Sequence, residues 1–587
     1  MLTKVTIRNF KRFEAVEIEL GRAVVFVGPN NSGKTTALQA LALWELGVRR
    51  WNERRSDSKA ERRPGVAINR KDIFAAQVPN AKMLWRDLRA HSSAPRQKSG
   101  KTVKSTVDVF IDIVVEGVTA DRQWACGLEF DYANEESIYC RPLRVNGPDE
   151  APRRMPMPDE AADIRVAYLP PMSGLSDREF LKQPGEINLL VGQGQTGQVL
   201  RNLCYRMSND ERHPERWETI SAALKDLFKV SLHAPEFTEN AELLLTYDDP
   251  GGARLDISCA GRGLLQTLLL LCHLHANPGS VLLFDEPDAH LEVLRQQQAY
   301  RLLTETAEDL GSQVIVASHS EKVLEIGADK DLVVGFMYKG VKRIDDRSDR
   351  RRKHLLNSLK EVGFVDFHQA DLVGWVFYVE GSTDLAILQA LAHSVGHKAA
   401  INALAAPFHK PVGNDQLAAH RHFDTLRHVL PELKGLAIFD RDDRPGDRPE
   451  PPQGLNAFRW ERREIENYID PLHTLPAYAR GAAANDMFAL HDADKREHLI
   501  REVMRGLIPP RALEDEQDPW WGRTKMSDEF LDRVFDEFFE KLGLPNEMRK
   551  RDYHVLARLV RPERVHADIV TALNLIGGMP PKHDAVH

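Results

Sequence analysis

Residues 23–35 read Ala-Val-Val-Phe-Val-Gly-Pro-Asn-Asn-Ser-Gly-Lys-Thr, an apolar run, a glycine-punctuated turn and the opening of a helix expected from Thr35 to about Leu46. That order is a buried strand delivering the chain to a phosphate-binding loop. Glycines at 28 and 33 let backbone N–H groups close around phosphates with no Cβ in the way. Lys34 is placed to reach the β- and γ-phosphates and the Thr35 hydroxyl to ligate Mg²⁺. Asn30, Gly33 and Thr36 complete the expected ATP contacts. Upstream, Val5, Ile7 and Phe10, then Val16, Ile18 and Leu20, alternate as two further strands.

A phosphate loop needs a metal-side partner, and Val-Leu-Leu-Phe-Asp-Glu (281–286) supplies one at the end of an apolar strand. Asp285 would hold the metal through water, and Glu286 would orient and polarise the attacking water. Ser258-Cys-Ala-Gly261-Arg-Gly263-Leu-Leu-Gln266 precedes this strand, Asp288-Ala-His-Leu291 follows it, and Ser318-His319-Ser320 ends the next strand. The order resembles an ABC-type ATPase head over about residues 1–335. That resemblance implies that Ser258, Gly261 and Gly263 of one protomer complete the phosphate site of another, with ATP between two heads and His319 as a switch residue. His319 also reads as a capping or core histidine. Arg262 departs from the usual signature. Sustained heptads between loop and signature are missing, which disfavours a long coiled-coil arm.

A second pattern begins at Val-Phe-Tyr-Val-Glu-Gly-Ser-Thr-Asp (376–384) and continues at Ala-Ile-Phe-Asp-Arg-Asp-Asp (437–443). Glu380 follows one apolar strand, Asp384 lies on the next helix, and Asp440 and Asp442 follow the strand 435–439. Carboxylates at the C-terminal ends of adjacent parallel strands converge on one crevice, and hard oxygens there suit Mg²⁺ or Mn²⁺. The arrangement resembles the TOPRIM domain. A TOPRIM domain after an ABC-type head resembles the overcoming-lysogenization-defect (OLD) nucleases, whose relatives include the nuclease subunit of the Gabija anti-phage system.

The resemblance implies an α/β chain: an ABC-type head with a helical insertion, then a Rossmann-like TOPRIM domain and a helical tail. It implies an ATP-regulated, metal-dependent DNA endonuclease in anti-phage defence, a homodimer or higher homo-oligomer, and an accessory defence protein as a further partner. Glu380, Asp384, Asp440 and Asp442 would bind metal, Glu464 and Glu466 would form a second metal cluster, and Lys525 would stabilise the transition state, with Lys541 and Lys550 as competitors. Other readings are a topoisomerase or primase, and a sensor ATPase whose second half is not catalytic. The five scattered cysteines deny a primase its zinc module.

The expected boundaries are 1–175 and 236–345 for the head, 176–235 for the insertion, 346–370 for a linker and 371–587 for the nuclease part. The insertion reads equally as a dimerisation element or as a helical subdomain packing on its own lobe. The charge-rich stretch Lys342–Lys353 reads as a solvated linker or a DNA contact. Residues 49–104 read as loops and short elements. Strands are expected at 106–115, 124–130 and near 399–404, and helices at 291–309, 383–393 and 415–430. A chain of 587 residues at a net charge of −8 is mildly acidic, which leaves room for a local basic groove. With no apolar run of the roughly 18–20 residues that span a membrane and no signal peptide at Met1, a cytoplasmic protein is expected.

Overall fold

The computed structural model describes residues 1–55, 65–76, 78–98, 101–146, 152–337, 340–344, 362–441, 449–481 and 487–579. The chain forms two compact units, Met1–Lys360 and Glu361–Val586. Asp442 and most of the charge-rich stretch, from 345 onward, lie outside the described residues.

The first unit opens with strands β1 (Leu2–Phe10), β2 (Phe13–Glu19) and β3 (Ala23–Val27), then helix α1 (Lys34–Arg55). Helix α1 is nearly three turns longer than the expected Thr35–Leu46, and the added length is anchored by buried Val48 and Trp51, which continue the buried face of Leu38, Leu41 and Trp44. Next come β4 (Val66–Asn69), β5 (Ile111–Thr119), β6 (Arg122–Asn134) and β7 (Ser137–Pro142). The antiparallel sheet runs β2-β1-β5-β6-β7-β4. The alternation in Ile111, Ile113 and Val115, each fully buried, sends one face of β5 into the core. Between β4 and β5 the chain makes short 3₁₀ turns and a hairpin, His91–Lys98 with Lys101–Asp108.

After β8 (Val166–Leu169), helices α2 (Pro184–Gly192), α3 (Leu200–Ser208) and α4 (Glu215–Phe228) precede α5 (Arg262–Ala276). Helices α3 and α4 pack on α5. The insertion is therefore docked within its own unit, through buried Leu203, Ile220 and Leu224 and through Arg201, whose guanidinium meets Asp256 at 3.1 Å. Then follow β9 (Val281–Asp285), α6 (Val293–Asp309), β10 (Gln313–Ser318), α7 (Glu321–Lys330), β11 (Leu332–Met337) and β12 (Gly340–Arg343). The second sheet runs β8-β9-β10-β3-β11-β12, parallel except for β12. Helix α1 lies between the two sheets, touching β1, β5 and β7 on one side and β8, β9 and β10 on the other. Trp44 stacks on Trp124 at 6.3 Å and donates to the Cys126 carbonyl. Truncating a residue such as Leu41 here would cost about 2–5 kcal/mol.

The second unit begins with α8 (Phe364–Val373), β13 (Trp375–Val379), α9 (Ser382–Val395), α10 (Lys398–Leu404), β14 (His409–Pro411), α11 (Gln416–Val429), β15 (Lys434–Phe439) and β16 (Leu455–Arg459). The sheet is parallel, in the order β14-β13-β15-β16. The strand expected near 399–404 is instead helix α10. The segment Lys-Ala-Ala-Ile-Asn-Ala-Leu is alanine-rich, a composition that favours helix, and the His397 ring caps it by accepting from the Ala400 N–H. The short β14 takes the sheet position. Beyond residue 470 the described chain is helical, including Pro471–Arg480, Met487–Leu507, Asp532–Leu542 and Ala567–Gly577.

Candidate functional sites

Strands β3, β9 and β10 are parallel neighbours, so their C-terminal ends open on one edge. Ala317 pairs with both Asp285 and Phe26, which brings the phosphate loop, the Asp-Glu pair and Ser318-His319 together. The loop is tight. A Cβ on Gly28 would stand 2.7 Å from the Phe336 carbonyl oxygen and from Ser32 Oγ. Gly33 has φ +108° and a Cβ there would meet the Phe13 ring at 2.7 Å, so only glycine fits.

Lys34 curls over the loop and donates to the carbonyls of Gly28 at 2.7 Å and Pro29 at 2.8 Å. Its ammonium lies 3.1 Å from His319 Nε2. Burial pushes Lys34 down to about 8, against the pull of Glu286 and Asp285. Thr35 Oγ1 donates to Asp285 Oδ1 at 3.0 Å, and Tyr168 Oη donates to Asp285 Oδ2 at 3.2 Å. Burial raises Asp285, and the charge of Glu286 adds to it. Glu286 lies 3.0 Å from His319 Nε2, and that hydrogen bond holds its carboxyl below the usual range. It also carries φ +53°, a backbone state fixed by its N–H bond to the Ala317 carbonyl. Ser32 Oγ is buried with no partner among the described residues. An unsatisfied hydroxyl inside a glycine cradle, beside a lysine and a threonine-aspartate pair, fits a nucleotide phosphate with its Mg²⁺.

Asn30 is exposed at the loop tip, and Thr36 is half-buried in the first turn of α1. Ser258 and Gly261 are exposed. Gly261 caps α5, leaving the helix N-terminus toward solvent, a ready place for an anion. Gly263 packs on the 288–291 loop, where a Cβ would lie 3.1 Å from Leu291 Cδ2. Tyr168 carries no signal in the sequence beyond membership of an apolar strand.

In the second unit, Glu380 and Asp440 follow the adjacent parallel strands β13 and β15. A cavity of about 230 Å³ is lined by Glu380, Gly381, Thr383, Asp384, Asp440, Glu464, Glu466 and Lys550. Asp384 Oδ2 accepts from the Glu380 N–H at 3.1 Å, which fixes the start of α9. The Ser527 N–H donates to Glu464 Oε1 at 2.5 Å. Asn467 donates to the carbonyls of Trp521 and Thr524, lacing the 464–468 turn to the 520–527 segment.

Crowding shows in the acidities. Burial and a hydrogen bond with Glu380 push Asp440 up to about 10, with the Asp384 and Glu464 charges adding. Burial and Glu464 push Glu466 up to about 8, and burial and Glu380 push Asp384 up to about 6. Burial also raises Glu464, which Ser527 partly offsets. Lys550, which burial alone would lower, is held above its ordinary value by Glu466 and Glu464. Its ammonium stands 4.0 Å from Glu466 Oε1 and 3.4 Å from Ser527 Oγ.

Among the described residues no three acidic, histidine or cysteine side chains stand in a finished metal-ligating arrangement. The carboxylates are instead engaged with one another and with backbone N–H groups. Their chemistry nevertheless fits a divalent cation: all donors are hard oxygens, Glu466 Oε1 is buried with no hydrogen-bond partner among the described residues, and like charges this close hold protons that a cation would replace. Lys525 does not line the cavity. It pairs with Asp528 at 2.5 Å, whereas Lys550 is among the lining residues. Lys541 pairs with Glu502 at 2.9 Å.

No helix of the described residues is long and apolar enough to cross a membrane. No curated protein matches the chain. Residues 141–325 match the family described as "AAA domain, putative AbiEii toxin, Type IV TA system", and residues 1–45 match "AAA ATPase domain". Among solved structures, the chain is similar to the SMC head domain from Thermotoga maritima, at 16% identity over 57% of this chain and 94% of that one, with a TM-score of 0.30. It is also similar to the Smc head domain with an extended coiled coil, bound to the C-terminal domain of ScpA, from Pyrococcus furiosus. There the identity is 14% over 58% and 95% of the two chains, with a TM-score of 0.33. The matched segments contain the phosphate loop and the Asp285-Glu286 strand respectively, so the first unit carries a mixed α/β ATPase domain of AAA type.

Proposed function

We propose that this protein is an ATP-regulated, metal-dependent DNA endonuclease of the OLD type, acting in anti-phage defence, with a TOPRIM nuclease part over 371–587. One observation carries the reading: five carboxylates and Lys550 converge on one cavity at the C-terminal edge of a parallel sheet, in a chain that also bears an ATPase domain. The defence role rests on the family resemblance. The head then comprises 1–175 and 236–345, separated by the 176–235 insertion and followed by a 346–370 linker.

In the ATPase domain Lys34 neutralises β/γ-phosphate charge, and Thr35 and Asp285 hold the Mg²⁺ side. Glu286 accepts a proton from water that it orients, while His319 keeps its carboxyl ionised and aimed. Ser258, Gly261 and Gly263 are offered to the nucleotide of a second protomer, so ATP binding and homodimerisation are coupled. In the nuclease part, Glu380, Asp384 and Asp440 would hold one cation, with Asp442, which lies outside the described residues, as a further ligand by the resemblance, and Glu464 with Glu466 would hold a second. When bound by these carboxylates, Mg²⁺ or Mn²⁺ would supply an activated water and neutralise charge on the leaving 3′-oxygen. Lys550 adds positive charge beside the phosphate. The Ser527 N–H holds Glu464 in place in the cavity lining. Nucleotide state would bias nuclease geometry through differential affinity for two arrangements of the dimer.

The test is cleavage of supercoiled and linear DNA with Mg²⁺ or Mn²⁺, with and without ATP, for wild type, Asp440→Ala and Lys34→Ala. Cleavage lost in Asp440→Ala, and altered in nucleotide response by Lys34→Ala, supports the reading. No cleavage by wild type with ATP turnover intact turns it toward a sensor ATPase.

A further inference from the structure

Resting on the nuclease reading, we infer that Arg463 and Arg523 form a cationic rim that grips the DNA backbone beside the carboxylate cavity. Three chain segments meet there side by side. The Arg463 N–H donates to the Gly522 carbonyl at 2.9 Å, and the Arg463 carbonyl accepts from the Arg441 N–H at 3.0 Å. Each segment is continuous with the cavity: Arg441 follows Asp440, Arg463 precedes Glu464, and Arg523 lies four residues before Ser527, whose N–H holds Glu464.

The arginines of this region divide by what they do. Arg441 donates to the Glu461 carbonyl, and Arg459 bonds the Asp440 carbonyl. Arg462 donates to the Asn467 carbonyl and lies over the Tyr468 ring. These three knit the loops. Arg463 and Arg523 have exposed side chains that make no hydrogen bond or ion pair among the described residues.

The electrostatic requirement is direct. A cavity lined by five carboxyl groups and one lysine has little charge of its own to hold a polyanion, so cations at the margin would hold the phosphates on either side of the scissile one. Such cations position the strand and carry no sequence information. The whole chain is acidic, so the cations must be local. None of the bonds described between the three segments uses the side chain of Arg463 or Arg523, so replacing the two leaves the lacing in place.

The experiment measures anisotropy of a fluorescein-labelled DNA duplex with the full-length protein, with Ca²⁺ in place of Mg²⁺, across a NaCl series. The proteins are wild type, Arg463→Ala/Arg523→Ala and Arg463→Lys/Arg523→Lys. Expected for the alanine pair is about tenfold weaker binding at physiological salt and a salt slope reduced by about two, one for each phosphate left without its cation. The lysine pair should retain the wild-type slope. An unchanged affinity and slope in the alanine pair, with wild type binding and cleaving DNA, overturns the rim while leaving the nuclease reading standing. A wild type that neither binds nor cleaves overturns both.

Discussion

Thr35 Oγ1 donates to Asp285 Oδ1 across 3.0 Å, joining the phosphate loop to a strand tip 250 residues further along the chain. Tyr168 holds the other oxygen of the same carboxylate. A hydrogen bond to a charged group contributes about 1.5–3 kcal/mol, or about 10–150-fold in rate. Thr35→Ala should therefore cut ATP turnover by about 100-fold and raise the Mg²⁺ needed for half-maximal rate. Tyr168→Phe should cost about tenfold and shift the same Mg²⁺ curve. Steady-state ATPase against Mg²⁺ checks both, and an unmoved curve for Tyr168→Phe removes its positioning role.

Gly33→Ala should abolish nucleotide binding and lower stability. The positive φ alone costs a side chain about 1–3 kcal/mol, and the Phe13 ring must also move. Nucleotide titration and thermal unfolding read the two effects separately. Wild-type affinity in this variant would show that the loop has room to spare.

Acid should loosen the first unit through His273. Its ring is buried on α5 against Phe284, at 5.9 Å, and burial lowers it to about 4. A histidine kept neutral in the fold gives stability that is complete above its unfolded value near 6.5 and is lost as pH falls toward 4. The full window amounts to about 3 kcal/mol. Melting temperature between about pH 7 and about pH 4 should fall less steeply in His273→Leu than in wild type. Parallel curves would assign the acid sensitivity to other groups.

Lys550→Met should reduce DNA cleavage by about 100-fold, the size of effect seen when one electrostatic stabiliser is removed from a reacting phosphate or carbonyl. Lys525→Ala should do much less, because its ammonium is already engaged by Asp528. Single-turnover cleavage of both variants ranks the two lysines, and the reverse order would return the role to Lys525.

Cys259 is exposed, whereas Cys126, Cys140, Cys204 and Cys272 are buried. Burial pushes Cys126 and Cys140 up to about 12, so neither offers a thiolate. Maleimide should label Cys259 first. Since Ser258 and Gly261 flank it, ATP should slow that labelling in Glu286→Gln, in which a nucleotide-bridged dimer would persist. Labelling indifferent to nucleotide would argue against pairing through this surface.

The nucleotide site was legible because its chemistry lies in contiguous runs, where the loop and the two strand ends each declare themselves by residue type. Tyr168 escaped because Val-Ala-Tyr-Leu signals burial and nothing about a carboxylate on a strand far along the chain. As sequence, Lys525 is the candidate and Lys541 and Lys550 its competitors, with no spacing to decide among them. What separates Lys550 from Lys525 is a turn at 549–552 that swings the first toward Glu466, and Asp528, which captures the second. The segment 398–404 differs for a local reason: the βαβ rhythm places a strand near 399–404, while its alanines and the His397 cap make a helix.

Helix α5 exposes its first residues and buries nearly everything from Leu264 to His275. With α3 and α4 seated on that buried length, the close packing of an interior leaves little room for one to slide past another. A tilt of α3 and α4 would then be carried into α5 and would change the angle at which Gly261, at its exposed end, is presented.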